Sequence, residues 1–349
     1  MKKITVGLLI ILLFFALGCE QEKPTFKLAW SHYTGWEPWA YAEDSGIIAK
    51  WADKYDINIE VHLINDYIES INLYTAGEFD ACAMTNMDGL TIPAVGGVDN
   101  TVLIIGDFSN GNDGIVVKNG SSVSDLKGRE IKLVQLSVSH YLLARALEMN
   151  ALTEKDVTLI NTSDADIGSL YLSDTSETAT IVTWNPILMQ VRDAPDTTVV
   201  FDSSSIPGEI IDLAVVKTDA PDSFKKALVG AWFEVMMHMQ EGHPKYNEAI
   251  EFMAKTAGGT VDEFKAQLKT TAMFYEPAQA VDFNKSAKLK ETMEYVRSFS
   301  FDHGLYAEAA SKDYVGIEFP DGSVIGDQNN VKLRFDVTYM QMAADGKLQ

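Results

Sequence analysis

Hydrophobic positions along the chain switch repeatedly between two periods, and the switches mark out alternating strands and helices. Phe26 to Trp30 predicts a strand and Pro38 to Tyr55 a helix, and Ile57, Ile59, Val61 and Leu63 alternate with polar residues as a half-buried strand does. Asp66 to Ala76 reads as a helix and Phe79 to Met84 as a strand, and a further helix starts at Asn86, limited by Pro93 and Gly96-Gly97. A βαβαβα order predicts a largely parallel sheet, with ligands gathering where strand C-termini meet helix N-termini.

Two more strands, Thr101 to Gly106 and Gly114 to Lys118, bracket a polar loop, Asp107 to Asp113. The alternation then restarts with Ile131 to Gln135, a helix from Ser139 to Met149 capped by Ser137 or Ser139, and strands at Val157 to Asn161 and Ala179 to Thr183. Ile211 to Lys217 runs back as a strand, and beyond Pro221 the chain reads as helical: Phe224 to Gln240, Tyr246 to Thr256, Val261 to Thr270 and Ala287 to Phe299. Two such units joined by extended strands predict an α/β protein of two lobes around a cleft. A length of 349 residues fits that size, and 46% apolar residues suffice for its cores.

The first residues follow a different logic. A basic start, Met1-Lys2-Lys3, precedes an apolar run from Ile4 to Phe15 that is too short to span a bilayer, the layout of a secretory signal. Ala16-Leu17-Gly18-Cys19 resembles a bacterial lipobox, with Ala16 where such boxes usually carry Leu. The expected organisation is a signal peptide at 1–18, a lipid-anchored linker at 19–25 beginning with acylated Cys19, and an extracytoplasmic protein. With Cys19 acylated, Cys82 is the remaining thiol, and its apolar strand context predicts a buried, inert side chain.

Charge narrows the partners. The 28 basic and 50 acidic residues give a net charge of −22, and losing Lys2 and Lys3 with the signal takes it to −24, so nucleic acid is excluded as a partner. No Gly-x-Ser-x-Gly, Walker loop, Gly-x-Gly-x-x-Gly or Cys-x-x-Cys occurs, and no metal-ligand spacing such as His-Glu-x-x-His links the histidines; the expectation is no catalytic residue, no metal and no cofactor. The Met236-Met237-His238-Met239 run points around a helix and reads as core packing rather than a soft-metal site.

The seven loops expected to ring the cleft are 31–39, 65–70, 85–89, 107–113, 136–141, 183–186 and 208–212. They contain no Lys or Arg but eight acids: Glu37, Asp66, Glu69, Asp88, Asp107, Asp113, Glu209 and Asp212. Tyr33, Trp36, Trp39, Phe108, Tyr141 and Trp184 stand in the same loops. Carboxylates and aromatic faces both attract cations, which predicts a cage for a small nitrogenous cation. For several of these residues packing or capping is the competing role, Asp66, Asp88 and Asp113 being placed as helix caps or turn formers.

Ser124-Asp-Leu-Lys-Gly-Arg-Glu-Ile131, the helix His140 to Met149, Leu152-Thr-Glu-Lys-Asp-Val157 and Gly77-Glu-Phe-Asp-Ala81 resemble the solute-binding proteins of nitrate/sulfonate/taurine-type ABC transporters over about residues 26–310. A narrower resemblance, to the subgroup associated with urea/guanidine carboxylase systems, is carried by Trp30-Ser-His-Tyr-Thr-Gly-Trp-Glu-Pro-Trp39, Ile64-Asn-Asp-Tyr-Ile-Glu-Ser70, Met84-Thr-Asn-Met-Asp88 and Gly106-Asp-Phe-Ser-Asn-Gly-Asn-Asp-Gly114. The resemblance implies a two-lobed periplasmic-binding-protein fold (type II), with lobe 1 at 26–112 plus 213–349 and lobe 2 at 113–212. It also implies lobe closure on the solute, and permease and ATPase subunits as partners. Guanidinium is the expected solute and urea or another small amide or amine the alternative; an enzyme like the thiamine-pyrimidine synthases is the reading from another class. The expected binding residues are Trp36, Asp66, Asn86, Asp88, Ser109, Asp113, Ser139, Trp184, Asn185, Glu209 and Asp212.

Overall fold

The computed structural model describes residues 22–306 and 309–348; the segment expected to be a signal peptide and Cys19 lie outside them. The first half-sheet alternates as its periodicity requires: β1 (Thr25–Trp30), α1 (Pro38–Asp44), α2 (Ile47–Lys54), β2 (Asn58–Leu63), α3 (Tyr67–Ala76), β3 (Ala81–Thr85), α4 (Asn86–Gly89) and β4 (Asn100–Phe108). The helix expected over Pro38 to Tyr55 is two helices, because Gly46 takes a left-handed φ of 76° that stops the first and starts the second. The helix starting at Asn86 is a single turn, continued over Leu90–Ala94 by a wider π-type turn that contains Pro93.

The second unit comprises β5 (Asp113–Lys118), β6 (Glu130–Leu133), α5 (Val138–Met149), β7 (Thr158–Asn161), α6 (Asp164–Ser173), β8 (Thr180–Trp184), α7 (Ile187–Arg192) and β9 (Thr197–Asp202). Of these, α6, α7 and β9 went unread in the sequence. The chain then continues through β10 (Ile211–Lys217), α8 (Asp222–His238), α9 (Tyr246–Thr256), α10 (Val261–Leu268), α11 (Pro277–Asn284), α12 (Ala287–Asp302), β11 (Gly316–Glu318), β12 (Val324–Ile325), β13 (Val331–Phe335) and α13 (Thr338–Ala344). The expectation that everything beyond Pro221 is helical is therefore corrected: three short strands extend the first sheet beside β4. Their few residues carry too little periodicity to stand out.

Strand order in the first sheet is β12-β11-β13-β4-β10-β3-β1-β2, and in the second β7-β6-β8-β5-β9. In each, one strand arrives by crossing from the other sheet and pairs antiparallel: β10 between β3 and β4, β5 between β8 and β9. Central placement explains composition, since every residue of β3 is buried, as are six of the seven in β10. Cys82 lies there, fully buried, with its thiol pushed up to about 12 by burial. Met236 and Met239 are core residues, whereas Met237 is exposed on the opposite side of α8.

The two crossings, Phe108 to Asp113 and Asp202 to Ile211, run side by side. Ser109 N–H donates to Ile210 O at 2.9 Å, and Ser203 Oγ contacts Ser109 Oγ at 2.6 Å and accepts from Gly111 N–H at 2.7 Å. Helix α12 supports the return crossing, Thr292 Oγ1 donating to Gly208 O at 3.1 Å. The two lobes are thus joined by a paired, two-stranded connection. Among the described residues no helix is long and apolar enough to cross a membrane.

Packing of α2 on α8 depends on a glycine. A Cβ on Gly230 would stand 2.4 Å from Trp51 Cε3, so the indole lies directly on the helix backbone. Ala for Gly in a helix interior normally stabilises by about 1 kcal/mol. Here overpacking reverses the sign: Gly230→Ala is expected to destabilise by roughly 1–3 kcal/mol in urea denaturation, and a neutral or stabilised variant would refute the close approach.

Candidate functional site

The cleft between the sheets narrows to a small cavity walled by both lobes. Tyr33 and Trp36 come from the β1–α1 loop, Tyr67 from the start of α3, Thr85 from the end of β3, and Ile210 and Asp212 from the return crossing; Asp113, Val138 and Trp184 come from the second unit. The lobes are nearly shut, leaving the centre of a water-sized sphere only about 10 Å³.

Four of the nine residues that line the cavity are aromatic. Trp36 stacks on Tyr67 with ring centres 5.5 Å apart, Tyr33 meets Trp36 edge-on at 5.1 Å, and Trp184 meets Tyr67 edge-on at 5.7 Å. Trp184 stands at the end of β8, and its Nε1–H donates to His32 O at 3.4 Å, so it closes the cavity from the opposite lobe. Behind that carbonyl, His32 Nδ1 pairs with the fully buried Glu37 at 2.8 Å; this pairing raises the histidine, while burial raises the acid.

Carboxyls complete the wall and stand behind it. Asp113 and Asp212 line the cavity and are 3% and 2% exposed; Asp88 and Asp107 lie one layer back and are fully buried. Asp88 Oδ2 accepts from Tyr67 OH at 2.6 Å and Thr85 Oγ1 at 2.8 Å, and Asp107 Oδ1 accepts from Tyr33 OH at 3.2 Å. One oxygen each of Asp88, Asp107 and Asp212 is buried without a hydrogen-bond partner. No Lys or Arg lines the cavity.

Unpaired burial pushes every one of these acids upward, because it disfavours the charged form. Asp88 rises to about 6 and Asp107 and Asp113 to about 7, desolvation being the chief cause in each case; hydrogen bonds, from Tyr67 and Thr85 to Asp88 and from Ser109 to Asp113, pull the other way. Asp212 is raised well above its ordinary value by burial and by the nearby charges of Asp107 and Asp113. Tyr33 and Tyr67 are likewise raised by burial and by their aspartate neighbours, which keeps them as neutral donors.

Of the eleven residues expected at the site, the structure brings Trp36, Asp113, Trp184 and Asp212 to the cavity wall and places Asp88 directly behind Tyr67 and Thr85. Ser139 follows wall residue Val138, with its hydroxyl buried and unpartnered. The others do not line the cavity. Asp66 caps α3 and accepts from Ser163 Oγ at 3.0 Å across the cleft mouth. Asn86 spans the return crossing, donating to Glu209 O and accepting from Ile211 N–H, both at 3.1 Å. Ser109 ties the two crossings together, and Asn185 donates to Asn112 Oδ1 at 2.6 Å. Glu209 is turned away, engaged by Arg145 Nε at 2.9 Å and by Tyr141 OH at 2.6 Å. That ion pair escaped the loop count because Arg145 reaches in from a helix. Tyr33, Tyr67, Thr85, Val138 and Ile210 also line the cavity and were missing from the expected set, although all five stand in the seven loops.

The donor chemistry can also be tested against a metal or a pyridoxal cofactor. Among the described residues no cluster of three or more His, Cys, Asp or Glu side chains is placed to hold a metal ion. The cavity presents no lysine amine for a Schiff base, and the buried Cys82 thiol does not reach it, so its residues do not fit pyridoxal phosphate.

The NMT1/THI5-like family model matches residues 53–220, from within α2 to beyond β10. No curated protein matches the chain. Among solved structures, the alkanesulfonate-binding protein SsuA of Xanthomonas axonopodis pv. citri, bound to MOPS, is similar at 13% identity and a TM-score of 0.65, over 82% of this chain and 96% of that one. The periplasmic nitrate-binding protein NrtA of Synechocystis PCC 6803 is similar at 13% identity and 0.58, over 93% and 98%. The Candida albicans CA3427 gene product, described as having the generic periplasmic binding protein fold, is similar at 16% and 0.61, over 83% and 93%. At such identities the likeness is one of architecture, and the chain has the two-lobed periplasmic-binding-protein fold.

Proposed function

We propose that this protein is an extracytoplasmic solute-binding protein, tethered through a lipid on Cys19, that captures guanidinium between its lobes and delivers it to the permease of an ABC importer driven by a separate ATPase. The observation that carries this reading is the cavity itself: four aromatic rings and two buried aspartates, backed by two more, with no basic side chain among them. A planar cation with N–H donors around its edge satisfies such a wall, its faces on the rings and its edge on the carboxylates. Nitrate or a sulfonate would meet no basic side chain there, and like charge wherever an aspartate is ionised. The shut geometry favours a solute of very few atoms and its full desolvation, which strengthens each ion pair.

The raised acids also favour a second reading. A protonated carboxyl donates a hydrogen bond, so near neutrality the same wall suits urea, which offers a carbonyl acceptor as well as N–H donors. The two solutes have opposite pH signatures. Guanidinium keeps its charge throughout this range, as the arginine head group does. It favours ionised aspartates, so its binding expels protons and tightens as pH rises. Urea, accepting from protonated acids, would bind more weakly as pH rises.

Calorimetry on the protein lacking residues 1–19, with guanidinium, methylguanidine, urea, taurine and nitrate at millimolar concentration and below, ranks the solutes. Guanidinium is expected to bind with an affinity that increases from pH 5.5 to 8 and with protons released to buffer; binding of taurine, nitrate or urea alone would overturn the assignment. Asp212→Asn should weaken guanidinium binding by about 10- to 100-fold, the loss of one charged hydrogen bond, and unchanged affinity would remove Asp212 from the site.

Stability supplies an independent check. Acids raised in the folded state contribute stability to the solute-free protein that is fully present below their unfolded values, near 4, and is lost as pH climbs through about 6 to 7. The melting temperature without solute should therefore fall between pH 5 and 8, and low guanidinium should restore it. A solute-free melting temperature that instead rises over this range would contradict the buried, unpaired carboxyls.

A further inference from the structure

Away from the cavity, two histidines from different lobes grip one carboxylate. Helix α12 packs on α4 and α11 of the first lobe, and three of its side chains at a spacing of four, Tyr295, Phe299 and His303, meet the second. Tyr295 OH donates to Glu148 Oε2 at 2.5 Å beneath the Arg145 guanidinium, Phe299 meets Tyr141 edge-on at 5.0 Å, and His303 stacks on Phe299 with ring centres 3.9 Å apart. Glu154, in the turn between α5 and β7, accepts from His140 Nε2 through one oxygen and from His303 Nε2 at 2.5 Å through the other.

The partners of each ring fix its protons. His303 Nδ1 stands 2.8 Å from Phe299 O, and a carbonyl only accepts, so Nδ1 carries a hydrogen; Nε2 faces a carboxylate and carries one as well. A ring with two acceptors is the imidazolium cation. His140 differs, because its Nδ1 accepts from Leu136 N–H at 3.2 Å and its proton is left on Nε2. One cation and one neutral donor therefore meet one anion. The two rings hold Glu154 down at about 2, and the bond to Glu154 raises His303 against the effect of burial. Glu154 and His140 face His303 from the second lobe and Asp302 adds its charge from α12 itself, while Arg145, further along the seam, is engaged by Glu209 and Glu148.

Thr292 ties α12 to the return crossing at Gly208, and His303 lies eleven residues further along the helix, about 16 Å at the usual rise per residue. So far from the connection, a rotation of one lobe on the other displaces His303 from Glu154. We propose that Glu154 and the His303 imidazolium form a pH-sensitive clasp between the lobes, made in the shut form and released when His303 loses its proton. A histidine raised by its partner contributes stabilisation that is full below its ordinary value of 6.5 and is lost as pH climbs through the raised one. The effect on solute binding rests on the reading above; the charge state of His303 does not.

Two measurements separate them. Nitrogen–proton correlation spectra of ¹⁵N-histidine-labelled protein lacking residues 1–19, with His303 assigned by its loss in His303→Gln, are expected to show both of its nitrogens protonated at pH 7 and a titration above 6.5. A titration at or below 6.5, both with and without guanidinium, overturns the clasp. His303→Gln, which keeps a donor but no charge, should weaken guanidinium binding by about 3- to 10-fold at pH 6 and leave it unchanged near pH 9, where the intact protein has released its own clasp. Taking the ratio of intact protein to variant cancels the titration of the cavity acids, which both share. A ratio that does not change with pH is the mark of packing alone and also overturns the proposal. If the intact protein binds none of the probes, the binding reading fails while the histidine titration still decides this one.

Discussion

The structure depends on an imbalance of charge at the junction of its two lobes. Asp88, Asp107, Asp113 and Asp212 are withdrawn from water around one small cavity, and no lysine or arginine lines it. Buried charge is normally paired, and buried acids without a partner shift toward the neutral form. In the proposed reading protons serve as the counter-charge while the cavity lacks a cation, and a cation that enters replaces them. In the proposed reading solute affinity, proton release and pH-dependent stability are therefore three expressions of one electrostatic state.

Topology explains how acids so far apart in sequence converge. Asp107 ends β4 and Asp113 begins β5, on either side of the outgoing crossing, while Asp212 lies at the start of β10, on the return. Because β10 inserts beside β4, Asp212 pairs in register with Asp107 and the two carboxyls face each other. Polar side chains hold this junction: Asn112 Nδ2 donates to Tyr33 OH at 3.2 Å, and Asn112 Oδ1 accepts from Asn185 and Thr270 at 2.6 Å each. Asn112 thus links the outgoing crossing, the end of β8 and the segment after α10 to the tyrosine that hydrogen-bonds Asp107.

The sequence made the architecture legible wherever hydrophobic period was long enough to read. Strands β1 to β8 and β10 and helices α3, α5, α8, α9, α10 and α12 fell within a few residues of expectation, while α6, α7, β9, α11, α13, the short β11 to β13 and the helical break at Gly46 did not. The chemical character of the cleft was legible too, as acids without bases in its loops. Which acids face inward was not, because that depends on partners from other elements. Glu209 was lost to Arg145, which projects from α5, and Asp66 became a cap touching Ser163 across the mouth. Tyr67 went unnoticed because its position invites packing; its role follows only from stacking on Trp36 and donating to Asp88.

Fold and solute charge are separable here for a specific reason. The N-terminus of a helix aimed into a cleft is an anion seat, with free backbone N–H groups and a positive dipole end. Helix α5 begins at Val138 on the cavity wall, and the backbone of Val138 is among the groups that hold the carboxyl of Asp88, a residue of the opposite lobe, down against the effect of burial. The protein's own aspartate stands before that seat, one of its oxygens still without a partner. In the proposed reading, what remains open to a solute is aromatic faces and the carboxyls of Asp113 and Asp212, a surface suited to a cation.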